Sequence, residues 1–398
     1  MSNEEKIEEL LSRGVENIYP DKESLRRVLM SEKKIRLYHG IDPTGGSLHL
    51  GHLIQLRKIK GFQELGHEVI ILIGDFTAQI GDPTDKMAVR KKLTHKEVLE
   101  NAKDYKKQIG RILEIKGENA VKFVYNSKWL TKLSFADLIE LTSNFTAQQT
   151  LARDMFKKRI AENKDLYLHE FLYPAMQAYD SVVLDVDLEI GGSDQMFNML
   201  AGRTLMKKMK NKEKFVITTK LLEDPSGKKM GKTEGNVIWL SDSPEEMFGK
   251  VMNWTDEMII IDFELLTDIT VGGIEIFRKA LEEGENPRNI KFKLAEKVVE
   301  GFYGETKALK AGKGFDKVFK SKEIPDNIEE KSISREMMNI VDLVFELGLV
   351  DSKSEARRLV EQGGVKIDEA KITDVKAEIG TRSGMIVRVG KRKFVRIK

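Results

Sequence analysis

At 398 residues, 40% apolar and 33% charged with only eight prolines, the chain is long enough for two or three domains with real cores, and its composition excludes disorder. It contains no cysteine, which rules out disulfides and thiolate zinc sites. With no apolar run of about 18 residues and no signal peptide in the opening MSNEEKIEELL, a cytoplasmic protein without a membrane partner is expected. The net charge of +3 is unevenly spread: residues 351–398 hold 13 Lys and Arg against 7 Asp and Glu, leaving −3 for the rest. A basic C-terminal piece on a mildly acidic body suggests an appended nucleic-acid module. A charged tail is the plainer alternative, but the apolar pattern there is too regular for one.

In chain order, residues 4–13 and 24–30 read as short helices leading to a first buried strand, 35–41. A loop punctuated by Pro43, Gly45 and Gly46 follows, and Ser47 stands where it can cap the next helix, which ends near Leu65 and Gly66. A continuous apolar run at 68–74 is the second strand, so strand, helix and strand form a right-handed βαβ unit. A long helix is predicted over 94–115, a strand over 121–125, and helices over 134–163 with a break at Asn144–Thr146. A helix over 173–180 precedes a strand over 182–190, where Asp185, Asp187 and Glu189 alternate with apolar residues as solvated carboxylates on an edge. A helix over 197–209 and a strand over 215–219 complete an open parallel α/β sheet. After Trp239 the pattern turns helical to about residue 320, and 321–332 read as a linker. Beyond it, Met338, Val341, Val344 and Leu347 mark one helix. Ser352 and Glu355 form a capping box for a second, 356–362, and short strands follow at 365–367 and 385–397.

Two stretches carry the chemistry. His49-Leu50-Gly51-His52 places two histidines in the first turn of a helix after a strand, on one face and at an anion-binding helix start. Gly51 between them leaves room for a flat ligand, and a nucleoside triphosphate is the expected guest. Alone, the pair is a weak signal and reads more readily as surface histidines on an ordinary helix. Gly227-Lys228-Lys229-Met230-Gly231-Lys232-Thr233 is a Gly- and Lys-rich loop after the last sheet strand; its lysines can neutralise charge building up on phosphates, although a solvated charge run is the ordinary reading. His67 and His95 read as surface residues on helix ends and His39 as packed in its strand.

Together these stretches resemble the paired signatures of class I aminoacyl-tRNA synthetases, His-x-Gly-His and Lys-Met-Ser-Lys-Ser. Gly231 and Thr233 replace the two serines, while Lys229, Met230 and Lys232 remain. Within that class the chain resembles the tyrosyl-tRNA synthetases over essentially its whole length. The matching residues are Tyr38-x-Gly40-x-Asp42-Pro43-Thr44, Gly81-Asp82-Pro83, Tyr173-x-x-x-Gln177-x-x-Asp180 and Gly191-Gly192-Ser193-Asp194-Gln195.

The resemblance implies a Rossmann-like catalytic domain over 1–238, a helical domain for the tRNA anticodon region over 239–320, the linker, and an S4-like RNA-binding domain over 333–398. It implies tyrosine activation by ATP, with Mg²⁺ arriving on the nucleotide and no metal or organic cofactor held by the protein, and then transfer to tRNA by a homodimer. His49, His52, Lys229, Lys232 and Thr233 would be the catalytic group. Gly40, Asp42, Thr44, Gly51, Gly192 and Asp194 would join them around ATP, Asp194 at the ribose. Tyr38 and Asp180 would hold the substrate phenol, and Asp82, Tyr173 and Gln177 its α-amino group, with Gln195 near the reacting carboxylate. Residues 351–365 resemble the S4 fold, so Lys353, Arg357 and Arg358 would face tRNA phosphates. A tryptophanyl-type enzyme, a small-molecule nucleotidyltransferase and a non-catalytic RNA-binding relative are the alternatives. An indole gives Tyr38 and Asp180 less reason to pair, and neither of the others needs every motif present.

Overall fold

Six short strands build the sheet that carries the site: β1 (Val15–Tyr19), β2 (Arg36–Ile41), β3 (Glu68–Ile73), β4 (Lys122–Tyr125), β5 (Leu188–Gly192) and β6 (Phe215–Thr219). Their spatial order is β1-β6-β5-β2-β3-β4, with β1 antiparallel to β6 and every other pairing parallel. The computed structural model describes residues 2–31, 33–82, 93–224, 237–317, 329–333, 335, 337–368, 370–390 and 393–398, with Asp154 by its backbone only. Its contacts divide the chain into two units, residues 1–304 and 305–398.

The sheet opens where its strand order reverses. β2 pairs with β3 along its whole length, but with β5 only at Leu37–Leu188 and Tyr38–Glu189. Beyond Tyr38 the two central strands part, so Gly40 is exposed between buried neighbours. A crevice at the carboxyl ends of strands at such a switch point is where open α/β sheets bind ligands.

Helix α1 (Leu50–Glu64) links β2 to β3 and buries Leu53, Leu56, Ile59 and Phe62. Its N-cap is His49 and not Ser47: His49 Nδ1 accepts from Gly51 N at 3.1 Å, and His52 Nδ1 accepts from His49 N at 3.2 Å. Ser47 instead hydrogen-bonds Gln108 and Ser241.

The helix predicted over 94–115 is two, His95–Ala102 and Tyr105–Ile109. The break serves the loop before α1, since Tyr105 Oη donates to Gly45 O at 2.6 Å and Gln108 Oε1 accepts from Leu48 N at 2.9 Å.

Helix α2 (Leu168–Leu184) runs further than predicted in both directions. It packs closely on α3 (Met196–Lys210) through Ala175, Ala178, Val182, Ala201 and Leu205. Asp185 ends it in the left-handed region at φ 48°, so the strand expected from 182 begins only at Leu188. An apolar run shared by a buried helix end and a buried strand has no period that separates them.

The alternating carboxylates are not an exposed edge either. β5 lies inside the sheet, and Glu189 is 2% exposed. Asp185 and Asp187 pair with Lys212 at 3.4 and 3.1 Å. β1 had no apolar signal of its own; pairing with β6 makes it a strand. His67 is buried and not on the surface, with Nδ1 facing Ile35 N at 3.5 Å.

The second unit has its own core, in which Leu343, Val344, Leu347, Ala356, Val360, Val387 and Val395 are buried. It holds β7 (Glu329–Lys331), β8 (Met337–Asn339), α4 (Ile340–Glu346, with Met338 in the strand before it) and α5 (Lys353–Glu361). β9 (Val365–Ile367), β10 (Ala370–Ile372), β11 (Glu378–Gly380), β12 (Ile386–Val389) and β13 (Lys393–Ile397) complete it. Thus residues 329–331, within the stretch read as linker, form a strand parallel to β13. Ser352 caps α5 by accepting from Glu355 N at 3.2 Å, but Glu355 turns its carboxylate to Asp351 N, so the reciprocal half of the box lies one residue earlier.

Candidate active site

At the start of α1 the two imidazoles are 4.0 Å apart between ring centroids. Each uses Nδ1 as an acceptor for a backbone N–H, so a neutral ring carries its proton on Nε2 and acts there as a donor. Gly51 has a more local role than expected: a Cβ there would fall 2.8 Å from the His49 ring. The missing side chain admits the capping histidine.

The segment after the lysine loop docks on this helix start. Leu50 N donates to Ile238 O at 3.0 Å, Leu240 N donates to Leu48 O at 2.7 Å, and Trp239 meets His49 edge-on. Residues 238–240, which follow the lysine-rich stretch in the chain, are thereby joined to the histidine stretch by backbone hydrogen bonds. Lys229, Lys232 and Thr233 themselves lie outside the described residues.

Across the crevice, α2 presents Tyr173, Gln177 and Asp180 on one face toward the strand ends, as their spacing predicts. Tyr173 Oη donates to Asp42 Oδ2 at 2.9 Å, and Thr77 Oγ1 donates to Asp42 Oδ1 at 2.7 Å. A Cβ on Gly74 would fall 1.9 Å from Asp42 Oδ1, so only glycine fits there. Burial pushes the Asp42 carboxyl up to about 7, aided by the negative charges of Asp82 and Asp75 and opposed by the two hydroxyl donors. Gln195 links Asp82 (2.5 Å, from Nε2) to Asn198 (3.0 Å, to Oε1). Thr44 N donates to Asp42 O at 2.8 Å, which closes the turn after β2.

The deep end of the crevice is polar and dry. Asp180 is 2% exposed and accepts from Trp129 Nε1 at 2.7 Å and Asn126 Nδ2 at 3.3 Å; burial holds its carboxyl well above the usual carboxylate range. Tyr38 is fully buried, with its hydroxyl 3.1 Å from Ser181 Oγ, and burial together with nearby Glu189 and Asp180 raises it well above an ordinary phenol. The two groups expected to share a phenol are thus held by separate partners. Gln177 Nε2 donates to Glu189 Oε1 at 2.9 Å. On the nucleotide side, Gly192 and Asp194 follow β5, and a Cβ on Gly192 would fall 2.5 Å from Asp194 Oδ1.

Sequence reasoning missed Ser181, Trp129, Asn126 and Lys214, none of which sits in a recognisable spacing, and it read Glu189 as a solvated carboxylate. It also missed Arg153, a buried guanidinium lying 4.7 Å from the Phe197 ring centroid, whose terminal nitrogens have no hydrogen-bond partner among the described residues. A lone buried charge within a run of helical residues leaves no periodic signal. His39 is packed as expected, with Nδ1 on Ile190 O at 2.8 Å. Among the described residues no group of three or more His, Asp or Glu could hold a metal ion, and no helix is long and apolar enough to cross a membrane. In the second unit Lys353, Arg357 and Arg358 are exposed on α5, with Lys353 paired to Asp342 at 2.7 Å.

A switch-point crevice with two donor imidazoles at a helix start and a polar, buried far end is the arrangement of a class I synthetase. Residues 30–320 match the family described as tRNA synthetases class I (W and Y). Residues 320–397 match the tyrosine–tRNA ligase SYY-like C-terminal domain. The tyrosine–tRNA ligase of Thermotoga maritima is 46% identical over 399 residues, covering 100% of this chain and 98% of its own. That of Carboxydothermus hydrogenoformans is 43% identical, covering 98% and 97%. A C-terminally truncated mitochondrial tyrosyl-tRNA synthetase from Coccidioides posadasii superposes with a TM-score of 0.63 at 25% identity, covering 77% of this chain and 91% of that one. The chain belongs to the tyrosine–tRNA ligases.

Proposed function

We propose that the crevice binds ATP against α1 and tyrosine against α2, and joins them in line. The tyrosine carboxylate attacks the α-phosphorus, pyrophosphate leaves, and the tyrosyl-adenylate then gives its acyl group to the 3′ end of tRNA. No protein nucleophile is required; catalysis is positioning plus charge stabilisation. The observation that carries this reading is the backbone pairing of residues 48–50 with 238–240, which holds the chain that follows the 227–236 stretch in sequence beside His49. Nε2–H donors from His49 and His52 face the α-phosphate, and Lys229 and Lys232, with Thr233, close on the departing phosphates. Mg²⁺ enters bound to ATP.

Gly40, Thr44, Gly192 and Asp194 make the nucleotide end, with Asp42 ordering the loop between the ligands. Asp82, Tyr173 and Gln177 receive the α-ammonium, Gln195 lies by the carboxylate, and Tyr38 and Asp180 meet the phenol. A site with buried polar groups at its far end rejects phenylalanine because those groups would be left unpaired.

Residues 333–398 are proposed as the RNA module, with Arg357 and Arg358 as phosphate contacts, and 239–320 as the region facing the anticodon arm. A second copy of the chain is the proposed partner of the exposed apolar side chains Phe135, Ile139 and Leu168, which are 79%, 56% and 84% exposed. The setting proposed is the cytoplasm. ATP–pyrophosphate exchange run separately with tyrosine, tryptophan and phenylalanine tests the core of this reading. Exchange with tyrosine alone is expected; preference for tryptophan would overturn it.

A further inference from the structure

Behind the α2 face lies an ion pair that the proposed chemistry does not use. Lys214 is 0% exposed and Glu189 2%. Lys214 Nζ donates to Glu189 Oε2 and, at 2.9 Å, to Ser181 Oγ, the atom that meets the Tyr38 hydroxyl. The other carboxylate oxygen, Oε1, accepts from Gln177 Nε2 at 2.9 Å. Gly202 on α3 keeps the space clear, since a Cβ there would fall 2.5 Å from Lys214 Nζ and 2.8 Å from Ser181 Oγ.

A buried ion pair is often no more stabilising than an apolar pair of the same volume, so packing alone is a weak account of this one. Its chemistry supplies another. An ionised carboxylate only accepts, so the amide facing it must present its NH₂. Gln177 is thereby fixed in one of its two amide orientations, and no hydrogen bond among the described residues uses its Oε1. Lys214 is the ion-pair partner of the Glu189 carboxylate where water is excluded. At this end of the crevice the carboxyl groups of Asp42, Asp82 and Asp180 bear on Tyr173, and the buried Arg153 guanidinium acts on Asp82 and Tyr173 as well. A neutral amide oxygen beside those carboxyl groups completes a receptor for a cation.

We propose that Glu189, paired with Lys214, is a positioning residue that locks the Gln177 amide with Oε1 outward, as an acceptor for the α-ammonium of the amino-acid substrate. This rests on reading the crevice as an amino-acid site.

Three ligands titrated calorimetrically into the full-length protein test it: L-tyrosine, tyrosinol (ammonium but no carboxylate) and deamino-tyrosine (carboxylate but no ammonium). Glu189→Gln is expected to weaken L-tyrosine and tyrosinol about tenfold and to leave deamino-tyrosine within about twofold. The double variant Glu189→Gln/Lys214→Met removes both charges at similar volume, guards against loss of folding in the single variant, and is expected to give the same pattern. Adding Gln177→Leu to Glu189→Gln is expected to weaken L-tyrosine no more than Gln177→Leu alone. Equal weakening of all three ligands, or of none, overturns the proposal. If the wild type binds neither L-tyrosine nor tyrosinol, the amino-acid reading of the crevice falls instead, and this proposal with it.

Discussion

His49 and His52 each commit Nδ1 to a backbone N–H, which leaves Nε2–H as the working end of both rings. A ring fixed in that tautomer is suited to stabilising charge on a phosphate oxygen and not to relaying a proton. His49→Asn keeps a short polar donor, so tyrosine-dependent exchange is expected to slow by about 100-fold with the shape of its pH–rate profile unchanged. Loss of an ionisation from that profile would contradict the assignment. Asp42 makes the opposite case, a group whose charge state matters. Its folded value of about 7 lies above the ordinary 3.8, so folding favours the protonated form. That contribution to stability is complete below 3.8 and is lost as pH rises through about 7. Thermal melts between about pH 4 and 7 should therefore show a falling contribution to Tm in the wild type and a flatter response in Asp42→Asn.

At the scale of elements, the site depends on where α1 starts and where α2 stops. The start of α1 is set by a histidine cap that is possible only because Gly51 has no Cβ. Gly51→Ala forces the His49 ring to turn and is expected to cut exchange about tenfold while the Tm moves little, measured by kinetics and melting on the same preparation. A large drop in Tm would show that the glycine serves the helix and not the ring. The end of α2 at Asp185 lets the chain turn into β5 at the depth where Glu189 meets Gln177. Helical spacing had already grouped Tyr173, Gln177 and Asp180 on one face. It could not show that each is held by a different partner, because those partners come from β2, β4 and β5 and their ends.

For the whole molecule, two units with separate cores imply separable tasks. Removing residues 332–398 is expected to spare ATP–pyrophosphate exchange and to lower tRNA charging. Substituting Arg357 and Arg358 by alanine in the full chain should raise the KM for tRNA and reduce its salt dependence, because each phosphate contact releases counterions. Equal loss of exchange and charging on truncation would count against the division.

The open parallel α/β sheet, the histidine pair and the basic C-terminal piece were all legible in the residues. Periodicity, glycine placement and charge asymmetry are local properties of a chain. The edge strand β1, the split of the 94–115 helix, the capping role of His49 and the buried Glu189–Lys214 pair were decided by the tertiary structure. Each depends on what a residue meets far along the chain: β6 for β1, the loop before α1 for Gln108, and Gln177 and Ser181 for the ion pair. A carboxylate on an alternating strand reads as solvated until a lysine 25 positions away is packed against it in the dry interior.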